Sequence, residues 1–211
     1  LANVSNLGDL GSSTVIPSRS VTALEGIRLL AGDVDVHHIS NTDALSVEEI
    51  FMIEQADAVV IVTGLSSEDE GESLIAAGDR SSLLLNENKT QLISNVSTLN
   101  SRTIVVLEGG SAMIVDPWFD EVAAILLAWY PGQEGGIAIA ELLFGDSVPS
   151  GKLPITFPKS EEDLPTFDNI NVTVNYEALH GYKYLIDQNS TPRYAFGHGL
   201  SYTEFDYWFT E

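Results

Sequence analysis

Two rhythms of apolar residues alternate along the first 145 positions. The β-branched runs Ala58-Val-Val-Ile-Val-Thr63 and Thr103-Ile-Val-Val-Leu107 carry no polar interruption, as strands buried on both faces do. Val122 to Ala128 is a third candidate strand. Between these runs the spacing becomes helical, with Val47, Ile50, Phe51 and Ile53 in Ser46 to Gln55, and Leu92, Ile93, Val96 and Leu99 in Lys89 to Leu99. Thr22-Ala-Leu-Glu25 has capping-box spacing, which predicts a helix from there to about Ala31 with Gly32 as its stop. Glu134 to Phe144, ended by Gly145, predicts another. Val34 to Ile39 alternates apolar with polar residues and predicts a further strand. Strands alternating with helices predict an α/β fold: a three-layer, doubly wound α/β sandwich around a mostly parallel sheet.

Past Gly151 the pattern changes. Pro149, Pro154, Pro158, Pro165 and Pro192 break the chain into extended pieces, and aromatics cluster from Tyr176 to Phe209. The sandwich is therefore expected over 1–160, with 161–211 an extended, aromatic-rich C-terminal segment wrapping the core or reaching towards a partner. No repeat or low-complexity tract interrupts this plan.

Charge narrows the function. The chain has 211 residues, 31 Asp+Glu against 9 Lys+Arg, and a formal net charge of -22. Phosphate binding needs clustered cations, so a nucleic-acid partner is excluded, and an anionic membrane surface on the same grounds. With 44% hydrophobic residues the acidity is not that of a disordered chain. The absence of cysteine removes disulfides, thiolate catalysis and Cys-based metal sites together. Val122 to Tyr130, the longest apolar run, is about half of the ~18 residues a membrane span needs. A start at Leu1 rather than Met suggests a processed or excised piece. The acid excess suits a salty or extracellular setting, so a secreted or periplasmic location is expected. Five sequons, at Asn3, Asn88, Asn95, Asn171 and Asn189, would be acceptors only in a eukaryotic secretory setting.

Candidate chemistry concentrates between Gly64 and Glu87, a long stretch without periodicity leaving the carboxyl end of a buried strand. Within it, Glu68-Asp69-Glu70-Gly71-Glu72 sets four carboxylates in five residues, followed by Gly78-Asp79-Arg80. Like charges this close favour the protonated form of one of them, a proton donor; a solvated acidic loop is the other reading of the same residues. No phosphate cradle is present, since Gly132, Gly135 and Gly136 do not make a GxGxxG, and no cofactor is implied. His37 and His38 would point to opposite faces of a strand, and His180 and His198 lack ligand spacing, so no metal is implied either. Glu108-Gly-Gly-Ser111 is not a GxSxG elbow, which argues against a serine hydrolase. Trp118, Trp129 and Trp208 are candidate sugar platforms, with Trp129 better read as packing.

Longer motifs are more specific. Ala128-Trp-Tyr-Pro-Gly-Gln-Glu-Gly-Gly136, Glu141-Leu-Leu-Phe-Gly-Asp146 and Pro149-Ser-Gly-Lys-Leu-Pro-Ile-Thr-Phe-Pro-Lys159 strongly resemble the C-terminal α/β sandwich of family 3 glycoside hydrolases, the β-glucosidases and their relatives. Gly181-Tyr-Lys-Tyr184 and Phe196-Gly-His-Gly-Leu-Ser-Tyr-Thr-Glu-Phe205 resemble that family's closing segments. Asn6-Leu-Gly-Asp-Leu-Gly-Ser-Ser13 and Val21-Thr-Ala-Leu-Glu-Gly26 resemble the start of its sandwich. The resemblance covers essentially the whole chain.

The resemblance implies a (β/α)8 barrel, of the same or a partner chain, with the active site between barrel and sandwich. An Asp of the barrel would be the nucleophile and a Glu of a sandwich loop the general acid/base. Gly71-Glu72 stands like the family's Gly-Glu ahead of Asp79-Arg80, so Glu72 is the first candidate and Glu70 the second; Ser73-Leu74 departs from the family's usual glycine and aromatic or methionine. The implied reaction is retaining hydrolysis of a β-linked oligosaccharide or an aryl or alkyl glycoside. Because a barrel needs ~200–250 residues, this chain is expected to be inactive alone. A face meant for the barrel leaves two ways to cover it, self-association into a homo-oligomer or a partner chain. A non-catalytic sugar- or partner-binding sandwich and a flavodoxin-like module are the alternative readings. The sugar-binding residues are not readable from this chain.

Overall fold

Helix α1 (Ala23–Leu30) begins where its capping box closes: the Thr22 side chain accepts from the Glu25 N–H at 3.2 Å, and the Glu25 carboxylate accepts from the Thr22 N–H at 2.8 Å. Helix α2 (Val47–Gln55) repeats the device with Ser46 and Glu49. Then follow β1 (Val59–Gly64), the short helix α3 (Ser67–Glu70), α4 (Glu87–Leu99), β2 (Thr103–Glu108), β3 (Ala124–Trp129), α5 (Gly135–Phe144) and α6 (Tyr182–Asp187). The Asn86 side chain caps α4, and Gly145, at φ 82°, ends α5 as a left-handed residue. These elements come from a computed structural model that describes residues 1–8, 11, 15–40, 44–70, 80–166, 168, 171–175 and 178–209.

The three strands are parallel in the order β1-β2-β3, with Ile61, Val105 and Ile125 in one row and Val62, Val106 and Leu126 in the next. Successive strand side chains point to opposite faces, so the two rows feed two cores. Ile61, Val105 and Leu107 pack with Ile53 of α2, Ile93 and Val96 of α4, and Trp118. Val62 and Val106 pack with Ala23 of α1 and Ile139 of α5. The result is the three-layer α/β sandwich that the alternating rhythms predict. Apolar residues without interruption are needed on β2 because it is covered on both sides: Val105 and Val106 have no exposed surface.

Several expectations are corrected. Residues 34–40 form no strand: they pair with none of the three strands, and of the apolar residues in Val34 to Ile39 only Val36 and Ile39 are even half buried. A strand without a ladder partner gains too little from alternation alone. The third strand is shifted to Ala124–Trp129, and its side chains are half buried except Ala124, which is exposed. Trp118 is no sugar platform, being fully enclosed in the core; Trp129 is half buried and Trp208 is exposed.

The C-terminal segment is not uniformly extended either, since α6 interrupts it. Two of its stretches return to the sandwich. Phe157 and Tyr194 form an antiparallel bridge, while the Leu153 N–H donates to the His198 carbonyl at 2.8 Å and the Gly197 N–H to the Leu153 carbonyl at 2.8 Å. Arg193 donates to the Asp116 carboxylate from Nε at 3.0 Å and from Nη2, and lies 3.9 Å over the Phe119 ring. The bond to Asp116 raises the Arg193 guanidinium above its ordinary value.

Candidate functional site

The stretch after β1 is partly ordered by its own polar residues. Ser66 opens α3, its N–H donating to the Asp69 carboxylate at 2.9 Å. Lys89 of α4 donates to that carboxylate at 3.2 Å and to the Gly64 carbonyl at 2.8 Å, holding α3 over the carboxyl end of β1. Burial pushes the Asp69 carboxyl up, but the Ser66 N–H and the Lys89 ammonium more than reverse it, leaving it below its ordinary value.

Glu70, one residue on, is the hub of the site. Its Oε2 accepts from the Gly110 N–H at 2.6 Å and from the Tyr130 hydroxyl at 2.6 Å. Its Oε1 accepts from the Ser111 hydroxyl at 2.5 Å and lies 3.6 Å from Arg80 Nε. Arg80 Nη2 in turn donates to Ser111 Oγ at 2.5 Å and to the Ala112 carbonyl at 3.1 Å. Both carboxylate oxygens are thus occupied by donors, and the side chain is only 10% exposed.

Sheet geometry brings these partners together. The ladder between β2 and β3 slips after Leu107, so that Glu108 pairs with Trp129 rather than Ala128. This bulge, with Trp129 at φ 55°, re-aims the chain so that Tyr130 reaches Glu70. Just past the end of β2 the N–H partner of Glu70 is a glycine with little room for a side chain. A Cβ on Gly110 would lie 2.8 Å from the Tyr130 ring, and one on Gly109, at φ 154°, would lie 3.4 Å from Glu70 Oε2. A cavity of about 570 Å³ opens beside the cluster, sharing Asp69 and Arg80 with it and bounded by Leu65, Asn86, Thr90 and Pro117.

Glu108, below the hub, is 2% exposed, and its Oε2 has no hydrogen-bond partner among the described residues. Burial pushes its carboxyl up to about 7, the Asn6 amide pulling partly the other way. Between its ordinary value of 4.5 and about 7 the folded chain therefore holds a proton that the unfolded chain has released, so stability falls as pH rises through that window. Glu108→Gln, neutral at every pH, is expected to raise stability by about 2–3 kcal/mol at pH 8 and by little at pH 5. Urea midpoints at the two pH values check this; an equal change at both would contradict it.

Of the two candidates from sequence, the structure thus places Glu70; Glu72 lies in 71–79, outside the described residues. Among the described residues no three His, Asp or Glu side chains converge as a metal site requires, and no helix is long and apolar enough to cross a membrane. Tyr130, and Ser111 as a hydrogen-bond relay, are not anticipated by the sequence reading. The signal for Tyr130 is its place directly after an apolar strand in Trp-Tyr-Pro-Gly; for Ser111, the glycine pair before it.

Comparison with known proteins agrees with this architecture. A family profile for the glycosyl hydrolase family 3 C-terminal domain matches residues 2–202. The probable beta-glucosidase I of Aspergillus oryzae is 38% identical over 156 residues, 72% of this chain and 18% of that protein. The probable beta-glucosidase J of Neosartorya fischeri is 35% identical over 170 residues, covering 78% and 19%. Among solved structures, beta-glucosidase 3B of Thermotoga neapolitana in complex with glucose superposes with a TM-score of 0.78 at 30% identity, covering 95% of this chain and 33% of that one. The beta-D-glucoside glucohydrolase of Trichoderma reesei gives 0.76 at 30% identity, covering 93% and 28%. The chain spans about a fifth of the length of the curated relatives it matches. With its parallel sheet, its covering helices and a profile match over nearly every residue, the chain belongs to the glycosyl hydrolase family 3 C-terminal domain family.

Proposed function

We propose that this chain is the sandwich half of a retaining β-glucosidase and supplies the general acid/base, Glu72, while a barrel supplies the nucleophile. The observation that carries the reading is the family match over residues 2–202, together with relatives named as β-glucosidases. Helix α3, which ends two residues before Glu72 in the sequence, is held by Lys89 over the carboxyl end of β1, the edge at which open α/β sheets bind ligands. In the first step the Glu72 carboxylic acid protonates the glycosidic oxygen while the barrel carboxylate attacks the anomeric carbon. In the second, Glu72 as carboxylate takes a proton from water, which displaces the barrel residue. A terminal β-linked glucoside is the substrate, and an acidic surface suits a secreted or periplasmic setting.

Aryl β-glucoside hydrolysis tests the reading. The 211-residue chain alone is expected to give no turnover, and the intact protein with its barrel to release the β-anomer first, as read by NMR. Turnover by the isolated chain, or release of the α-anomer first, would overturn it.

A further inference from the structure

We infer that Glu108 is a proton-operated latch: protonated, it lets the ends of β1 and β2 close beneath the Glu70 cluster, and ionised, it drives them apart. Glu108 is the last residue of β2 and belongs to the sandwich itself. The latch therefore does not depend on which carboxylate serves as acid/base.

Apolar groups surround this carboxyl. Side chains alternate along β2, so Glu108 shares the face of Val106, where the neighbours are Val62, Ala23 of α1 and Ile139 of α5. It is 2% exposed, and its Oε2 has no partner among the described residues. The Asn6 amide is the polar group that reaches it, and that amide also donates to the Leu65 carbonyl at 2.8 Å. Among the described residues the charge facing it is the Leu1 amino group, with Lys89 of α4 behind. Where the chain of an intact enzyme runs on ahead of Leu1, that charge is absent. An acid so placed is sealed in as its neutral form, since burying an unpaired charge costs far more than burying a neutral acid.

The backbone around it can part. The Leu65 N–H donates to the Glu108 carbonyl at 2.7 Å, the Gly109 N–H to the Trp129 carbonyl at 3.0 Å, and the Gly110 N–H to the Glu70 carboxylate at 2.6 Å. These bonds join Glu108 in series to the exits of β1 and β3 and to the cluster above. Gly64 and Gly109, at φ 134° and 154°, stand on either side of it with no side chains to lock the backbone. Water reaches an ionised Glu108 by breaking these bonds, and the N–H that Glu70 accepts goes with them. Between the ordinary value of 4.5 and about 7, each pH unit favours opening tenfold, about 10²-fold in all.

The test follows hydrogen–deuterium exchange in the intact enzyme, sandwich and barrel together, by mass spectrometry of its peptides. After correction for the intrinsic effect of pH, peptides holding Leu65 and Gly109–Gly110 are expected to exchange about 10²-fold faster at pH 8 than at pH 5, and faster than Val105–Leu107 in the core of β2. In Glu108→Gln, neutral at every pH, that dependence is expected to vanish. Infrared difference spectra read the proton itself: a protonated carboxyl band present at pH 6 and gone at pH 8 in the parent, and missing from Glu108→Gln. Turnover reads the consequence, and this arm alone rests on the β-glucosidase reading. The ratio of kcat at pH 8 to kcat at pH 6 is expected to be several-fold higher in Glu108→Gln than in the parent.

An equal rise in exchange in Glu108→Gln would overturn the inference. So would Leu65 and Gly109–Gly110 exchanging in step with Val105–Leu107, because Glu108 would then titrate only on global unfolding. Equal kcat ratios would overturn the latch as a control on the site. A parent without turnover at either pH would sink the β-glucosidase reading instead, and exchange would decide the latch. Should Glu108→Gln fail to fold, the parent decides: a carboxyl band that persists at pH 8, or exchange that does not rise from pH 5 to pH 8, overturns it.

Discussion

In the intact enzyme, Glu72→Gln is expected to lower kcat on alkyl β-glucosides by about 10²–10⁴-fold, the range a positioned general acid contributes. An alkoxide is too poor a leaving group to depart without a proton, so losing the donor slows glycosylation itself. A dinitrophenolate departs unprotonated, so on a dinitrophenyl glucoside the same variant forms the glycosyl-enzyme at close to the parental rate. It then accumulates that intermediate, because no base remains to activate water. The variant is thus expected to show a burst of dinitrophenol followed by a slow steady state, and to lose the basic limb of the pH–rate profile. Parallel kinetics on the two leaving groups check this. An equal loss on both would assign Glu72 a role other than proton transfer.

What the sequence discloses about this protein follows from which forces act locally. The α1 capping box is legible as Thr22 and Glu25 because capping involves neighbours only. Burial on both sides makes β1 and β2 legible, since a strand covered twice has no polar positions to blur its pattern. Residues 34–40 mislead for the complementary reason: alternation describes a strand's faces and says nothing of whether a neighbouring strand exists to pair with it. The hub around Glu70 joins positions as far apart as 70 and 130, and no spacing rule connects them. Even with Ser111 in view, its role depends on an Arg80 that arrives from thirty-one positions away. Family resemblance identified the loop because motifs record such distant partners together, but its pattern gives no bonding. Glu70 and Glu72 are near-equivalent in a string of acids, and no spacing says that Gly110, Ser111, Tyr130 and Arg80 gather around Glu70.

Gly136→Ala is expected to destabilise the sandwich by about 3–4 kcal/mol, at the upper end of what overpacking costs. Helices α1 and α5 cross backbone to backbone here. A Cβ on Gly136 would lie 2.0 Å from the Thr22 carbonyl oxygen and 2.6 Å from that of Val21, and a Cβ on Gly26 would lie 2.0 Å from the Gly136 carbonyl oxygen. No rotamer change relieves contacts with backbone, so the helices must separate. Separation also breaks the bond from the Gly136 N–H to the Val21 carbonyl, 3.1 Å, and opens the packing of Ala23 against Ile139 beneath it. A chain of this size loses roughly 2–4 °C of Tm per kcal/mol, so the midpoint should fall by about 10 °C. Gly26→Ala is expected to act similarly, and the double variant to cost less than the sum, since the first methyl group has already forced open the contact that the second would clash with. Gly151→Ala supplies the control: a Cβ there meets nothing within 4 Å, so it should leave the midpoint unchanged or raise it slightly. Scanning calorimetry of the four variants reads all of this, and strict additivity at Gly26 and Gly136 would mean that the two glycines do not share one contact.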